Sequence, residues 1–374
     1  MARYSEKVKL KRSNLEVTRM GLGTAPLGGL FKSVTDADGE EMLQGALDLG
    51  INYFDTAPQY GHGVAEVRVG KALRGAKTPF VIETKVGRVL RHVEGVEPEQ
   101  WFPDAPRNIV PIYDYSADGI KQAFEESLER LGLPHIDIVL MHDAEDYIKE
   151  ATENAFPVLA DLRSQGLIKA IGLGMNYVEP ALQIMKGTDL DIALIAGRFT
   201  LLDQVAQNEL FPYALKNNID ISMGGVLNSG VLANPVAGAT YNYLPASDEI
   251  IARAKKIGDF LKERDVPLLA AALQFPHRHP AVTTVIVGPR NREELEINIE
   301  NFEHKLPDNL WTELEDAGLI EKHDIQTPDQ MRTVVRTQID LVLPEGAAVL
   351  NADEEAVTTL AELSDGEVVY YAKA

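Results

Sequence analysis

Four residues of complementary acid–base type lie at or just beyond the ends of apolar runs in this chain. Asp55 and Tyr60 stand in "NYFDTAPQYGHG", Lys85 in "VIETKVG" and His142 in "IVLMHD". Singly, each has a plain structural use: the aspartate caps a turn, the lysine snorkels to water and the histidine joins a core. Together, a carboxylate, a phenol, an ammonium and an imidazole suit proton transfer coupled to hydride transfer at a carbonyl. A tyrosine of ordinary pKa about 10 is a poor acid–base group at neutral pH, and a cation such as Lys85 would lower it. Asp55 would keep Lys85 charged, since an unpaired buried ammonium gives up its proton. His142 would orient the carbonyl oxygen or shuttle the proton. A metal centre is the rival use of Asp with His, but no second His or Glu stands at ligand spacing. A Ser-His-Asp hydrolase would need a G-x-S-x-G elbow, which is missing.

These side chains can cooperate only if the fold delivers them to one rim. Short β-type runs alternate with amphipathic helical segments, and eight strands are expected. They fall at Met20 to Gly23, "INYFDTA", "PFVIETKVG", "IDIVLMHD", "IKAIGLGM", "LDIALIAGRF", "IDISMGG" and "VTTVIVGP". Most are near-continuous apolar runs, as expected of parallel strands covered on both faces. The pattern predicts an α/β (β/α)8 TIM barrel, whose active face is built from the C-terminal strand ends. An N-terminal β-hairpin is expected around Ser13-Asn14. A doubly wound sheet would use the same units, but "GLGTAPLGG" and "GLGMNY" break the G-x-G-x-x-G spacing. "GKALRG" likewise lacks the hydroxyl of a phosphate loop. A long loop after strand 3, from Arg88 to Tyr115, carries Trp101, Phe102 and Tyr113 and is expected to cover substrate. After about Ile325 the rhythm changes to strand, turn, strand, helix, strand. The expected organisation is therefore a barrel over 1–325 and a short appended C-terminal β/α segment over 326–374.

Composition narrows the functions. Against 36 Lys+Arg stand 57 Asp+Glu, a formal charge of −21 in 374 residues, which opposes binding to nucleic acid or anionic lipid. The absence of cysteine removes disulfides, thiolate metal sites and a cysteine nucleophile. With no apolar leader at the N-terminus and no run of about 18 apolar residues, a soluble, cytoplasmic protein with no membrane partner is expected.

The stretches "FDTAPQYGHGVAEVRVGKAL", "VIETKVG" and "IVLMHD" resemble the three signature regions of the aldo-keto reductases, a likeness running from about Val8 to about Leu319. The resemblance implies a TIM barrel that binds NAD or NADP without a Rossmann domain. It implies Tyr60 as the general acid/base, Asp55 and Lys85 as the groups that tune it, and His142 as the group that orients the carbonyl. "FPDAPRNIVPIYDYSADGI", "HDAED" and "GGVLNSGVLA" are similar to a branch of D-threo-aldose (L-fucose) and L-galactose 1-dehydrogenases and pyridoxal 4-dehydrogenase. That branch oxidises a cyclic hemiacetal to a lactone. A broad NADPH-dependent aldehyde reductase and a non-catalytic, cofactor-binding regulatory subunit are the alternatives.

For the cofactor, the resemblance implies Asn176 on the nicotinamide carboxamide and Arg198 or Phe199 against its ring. Gly23 belongs to the same site, and Leu227, Asn228, Ser229 and Gly230 would cradle the pyrophosphate. Gly288 and Arg290 would face the adenosine phosphate, and Asn298 the adenine. Glu294 stands where many NADPH-dependent relatives have arginine, which leans the expectation slightly to NAD. The tail is similar to a fragment of cyanophycin synthetase, within its Mur-ligase-like module. It lacks the phosphate loop such ligases need, so no ligase activity is expected of it.

Overall fold

The computed structural model describes residues 3–97, 101–322, 347–351 and 367–371. A hairpin of β1 (Lys7–Lys9) and β2 (Glu16–Thr18), with Val8 opposite Val17, leads into β3 (Met20–Gly23). Next come β4 (Tyr53–Asp55), β5 (Val81–Val86), an antiparallel excursion of β6 (Arg88–His92) and β7 (Ile109–Tyr113), and β8 (Ile138–His142). Three more strands follow: β9 (Ala170–Met175), β10 (Ile192–Ala196) and β11 (Asp220–Gly224). A small hairpin, β12 (Thr240–Tyr241) with β13 (Leu244–Pro245), precedes β14 (Val282–Val287). Eight of these strands, all parallel, form a closed barrel in the order β3, β4, β5, β8, β9, β10, β11, β14, with β14 returning to β3. This is the expected TIM barrel, with every expected strand in its place.

Side chains alternate across each strand, so a strand buried on both faces must be apolar on both. Tyr53, Leu140, Ile192, Leu194 and Ile286 fill the barrel, and Leu10, Leu15 and Val17 of the hairpin join them in one cluster. The opposite set, including Met20, Leu22, Phe54, Ile82, Val139 and Ile171, packs under the helices. Burial of each such large side chain contributes about 1.5–3 kcal/mol. At the N-terminal strand ends the buried carboxylates are structural. Asp137 accepts from the Ile82 amide at 3.0 Å, Asp191 from Ile171 at 2.8 Å and Asp220 from Lys11 at 2.7 Å.

Around the barrel run α1 (Asp36–Asp48), α2 (Val64–Leu73), α3 (Ala117–Leu131), α4 (Ile148–Glu150), α5 (Phe156–Ser164), α6 (Val178–Gly187) and α7 (Leu210–Lys216). They are followed by α8 (Asp248–Lys262), α9 (Leu268–Gln274), α10 (Arg292–Phe302) and α11 (Leu310–Asp316). Thr35, Ser116, Ser247 and Asn291 cap α1, α3, α8 and α10, each side chain accepting a first-turn amide. Helix α8 was not among the expected elements, although Ser247 and the buried stripe Ile251, Ala254, Ile257, Leu261 announce it. The expected loop after strand 3 is in large part the β6–β7 ribbon, with Arg88 paired to Tyr113 and His92 to Ile109. Pro111 is tolerated because a two-stranded ribbon has only edges.

Chain contacts divide at Glu321: Met1–Glu321 is one compact unit and Lys322–Ala374 another. In the second, β15 (Ala347–Asn351) pairs in parallel with β16 (Glu367–Tyr371). The other elements expected of the tail lie outside the described residues. Among the described residues no helix is long and apolar enough to cross a membrane.

Helices α2 and α3 touch backbone to backbone at Gly70, where an added Cβ would lie 1.9 Å from the Leu131 carbonyl oxygen. Gly70→Ala is therefore expected to destabilise the barrel by about 1–3 kcal/mol. Urea unfolding followed by circular dichroism checks this, and an unchanged midpoint would contradict the close approach.

Candidate active site

The register of β4 and β5 sets Asp55 opposite Glu83, so Lys85, two residues further along β5, stands beside and above Asp55 on the inward face. Its ammonium, with the side chain 1% exposed, donates to Asp55 Oδ1, to the Thr56 carbonyl at 2.9 Å and to Tyr60 Oη at 2.9 Å. Space for this long side chain comes from Gly174 of β9, where a Cβ would meet Lys85 Cε at 3.3 Å. Tyr60 is fixed by a second backbone contact: a Cβ on Gly28 would lie 2.4 Å from the Tyr60 carbonyl carbon. Only glycine allows those two loops to press together. His142 ends β8, and its ring meets that of Tyr60 edge-on at 5.9 Å. Asp55, Tyr60, Lys85 and His142 thus converge at the C-terminal mouth.

Electrostatics assigns their charge states. Burial works against the Lys85 ammonium, but the Asp55 carboxylate it donates to outweighs this and holds its pKa above the ordinary lysine range. Burial, followed by Asp55, pushes the Tyr60 phenol well above its ordinary range, and the opposing pull of Lys85 is too weak to reverse this. This is the reverse of the direction expected from the cation alone, because desolvation of the phenol outweighs the nearby ammonium. His142 is driven well below its ordinary range by burial and by the charges of Arg88 and Lys85. Asp143 lies 3.6 Å from its Nε2, but a neutral imidazole forms no ion pair there. Its Nδ1 is buried with no hydrogen-bond partner.

Further residues frame the mouth. Arg88, 8% exposed, donates to Tyr113 Oη and Asp143 Oδ2, both at 2.6 Å, and lies over the Tyr113 ring. Asn176 donates through Nδ2 to Asp143 Oδ1 at 2.9 Å. Arg198 ties three loops together, donating to the Asn176 carbonyl at 2.7 Å, Asp203 at 2.7 Å and Asn242 Oδ1 at 3.0 Å. Trp101 lies 6.1 Å, ring to ring, from Tyr243, and its carbonyl accepts from the Phe31 amide at 2.8 Å. Sequence reasoning missed Arg88, Asp143 and Tyr243. Arg88 follows directly on "TKVG" at a strand end, which was a usable signal; Tyr243 had none.

Two aromatic expectations are corrected. Phe199 is fully buried against Phe211 at 5.0 Å and Phe275 at 4.9 Å, under the helices, and is not available to stack on a ligand. Phe102 is 3% exposed and lies 6.3 Å from His62, anchoring the ribbon tip and presenting no face to the mouth. Leu227 packs against the core, while Asn228, Ser229 and Gly230 all take positive φ. The amides of Asn228 and Gly230 are already donated, to Gly225 at 2.8 Å and Leu227 at 3.0 Å, so this turn offers fewer free donors than expected. Gly230 has no atom within 4 Å of a would-be Cβ. Gly23 and Gly288 end β3 and follow β14, where a Cβ would meet Ile286 at 2.8 Å and Pro26 at 3.0 Å. Arg290 is engaged by Glu294, with Nε 2.9 Å from Oε1. Asn298 is 8% exposed on α10.

Residues 19–318 match the Aldo/keto reductase family. The chain is 40% identical over 339 residues to a pyridoxal 4-dehydrogenase of Microbacterium luteolum, covering 84% of this chain and 98% of that protein. It is 37% identical to a D-threo-aldose 1-dehydrogenase of a Pseudomonas species, covering 82% and 96%. A glycerol dehydrogenase structure from Gluconobacter oxydans shares the fold, with TM-score 0.67 at 22% identity over 86% of this chain and 98% of that one. The chain belongs to the aldo/keto reductase family and is an oxidoreductase that works with a nicotinamide cofactor.

The mouth fits such a cofactor. Thr24 Oγ1, Thr56 Oγ1, Arg88 Nε, His142 Nδ1 and Asn228 Oδ1 are buried there without protein partners, at or just beyond the ends of five different barrel strands. Buried polar atoms are in general almost always paired, so five unpaired ones around one rim suit a polar ligand. Because His142 is held neutral, its ring is expected to show no titration between about pH 5 and pH 8. Histidine NMR with His142→Gln as assignment control checks this; a midpoint near the ordinary value would contradict the burial argument.

Proposed function

We propose that this protein oxidises the anomeric hydroxyl of a small aldose, in its cyclic form, to a lactone, with NAD preferred over NADP. The observation that carries the reading is the buried Lys85 ammonium, shared between Asp55 and the Tyr60 hydroxyl. The likeness to an aldose 1-dehydrogenase supports the substrate class. Asn176 would hold the nicotinamide carboxamide, Leu227 to Gly230 the pyrophosphate, Gly23 and Gly288 its close approach, and Asn298 the adenine. When bound, the oxidised nicotinamide supplies the hydride acceptor and a local positive charge.

Tyr60, as phenolate, takes the proton from the anomeric hydroxyl, and Lys85 stabilises the phenolate through the hydrogen bond already made. Asp55 keeps that ammonium in place. Neutral His142 hydrogen-bonds the reacting oxygen without competing for the proton. Trp101 and Tyr113 stand at the mouth as substrate contacts. One observation favours a second reading, reduction of an aldehyde such as pyridoxal: burial and then Asp55 keep Tyr60 a protonated phenol, which is the form an acid catalyst needs.

The two readings separate when purified protein is offered L-fucose, D-arabinose, L-galactose and pyridoxal with each cofactor, following reduced cofactor optically. Sugar oxidation supports the first; aldehyde reduction with NADPH and no sugar turnover would replace it. Since the phenol must ionise to act as base, sugar oxidation is expected to rise with pH and the reverse reduction to fall. Tyr60→Phe should retain cofactor binding while kcat falls by about 10²–10⁴-fold; retained turnover would remove Tyr60 from the mechanism.

The NAD preference rests on Glu294, which occupies Arg290 at the start of α10 and would repel a 2′-phosphate. Glu294→Gln is expected to raise the NADP-to-NAD ratio of kcat/KM by about tenfold. An unchanged ratio would show that this corner does not discriminate.

A further inference from the structure

We infer that Glu83 is a positioning residue for this site: a buried, neutral carboxylic acid whose proton points to Asp55 and limits how strongly the Asp55 charge is felt at Tyr60. The inference rests on the reading of Tyr60 as the acid–base group. Glu83 has no solvent exposure, faces the barrel interior two residues below Lys85, and stands opposite Asp55 in the sheet register. Its Oε2 accepts from Tyr53 Oη at 2.6 Å, and its Oε1 is buried with no donor to accept from.

Charge counting decides its state. The three protons of Lys85 go to Asp55, the Thr56 carbonyl and Tyr60, leaving none for Glu83. The groups facing Glu83 are Tyr53 and Asp55 from β4 and Lys85 on its own strand, with Ile138 opposite it on β8. An ionised Glu83 would be a second buried anion served by one phenol, an arrangement that proteins avoid by protonation. Burial, then the Asp55 charge, accordingly pushes its pKa well above the ordinary carboxyl range. Protonation turns Oε1 or Oε2 into a donor beside Asp55. A carboxylate that accepts such a bond presents a weaker field to its surroundings. Around Tyr60 those surroundings are Asp55, Lys85, His142 and Tyr243.

The test needs no substrate. Infrared difference spectra of the full chain at neutral pH, wild type minus Glu83→Gln, should show one protonated-carboxyl band; its absence would overturn the inference. Phenolate ultraviolet titration, with Tyr60→Phe as blank, then reads the positioning role. Glu83→Leu, which removes the donor, should move the Tyr60 midpoint up by about one pH unit, whereas Glu83→Gln, whose amide still donates, should keep it. Equal midpoints in wild type and both variants would overturn the role. If Glu83→Leu fails to fold, Glu83→Gln decides: a midpoint displaced by a full unit would overturn it. Failure to oxidise any sugar would leave these optical readouts intact, so the two readings fail separately.

Discussion

Holding one ammonium inside a sealed barrel is the constraint on which the rest of this structure turns. Taking Lys85 out of water costs several kcal/mol, and removing its partner would leave an uncompensated charge worth about 3–5 kcal/mol. Asp55, Thr56 and Tyr60 meet that requirement from one strand end and the turn after it. The geometry needed for chemistry and the geometry needed to bury a charge are therefore the same geometry.

Glycine makes that geometry possible in two ways. On β9, Gly172 and Gly174 face inward, and a side chain at either would strike Leu140 or Lys85. Outside the barrel, Gly28 and Gly61 let two loops meet at the backbone and set the height of Tyr60. The first pair stands in "GLGM", where the spacing excluded a dinucleotide turn; its use is to leave room for a lysine.

Carboxylates at the two ends of the barrel do different work. Asp137, Asp191 and Asp220 at the N-terminal end spend their lone pairs on backbone amides and on Lys169, Arg163 and Thr283. At the C-terminal end, Asp55 and Asp143 serve Lys85, Arg88 and Asn176, side chains that border unpaired buried donors and acceptors. The same residue type thus closes the fold at one end and polarises a ligand site at the other, as the division of labour in such barrels requires.

The eight strands and the four groups at the mouth were legible in the sequence because both depend on local pattern. An apolar run of strand length that ends in a polar residue marks a strand and its rim position together. Motif likeness placed Phe199 near the ligand and loop length placed Phe102 there, but neither signal says which face of a loop an aromatic takes, and both side chains are buried. The ribbon after β5 and helix α8 carried usable signals in "RVLRH", "IVPIY" and the stripe from Ile251 to Leu261. Arg198 as a tie between three loops carried none, since its partners Asn176, Asp203 and Asn242 come together only in three dimensions. The direction of the Tyr60 pKa was likewise settled by tertiary structure. Sequence determined which charges could meet there; burial determined which of them prevails, because desolvation depends on everything packed around a group and not on its neighbours along the chain.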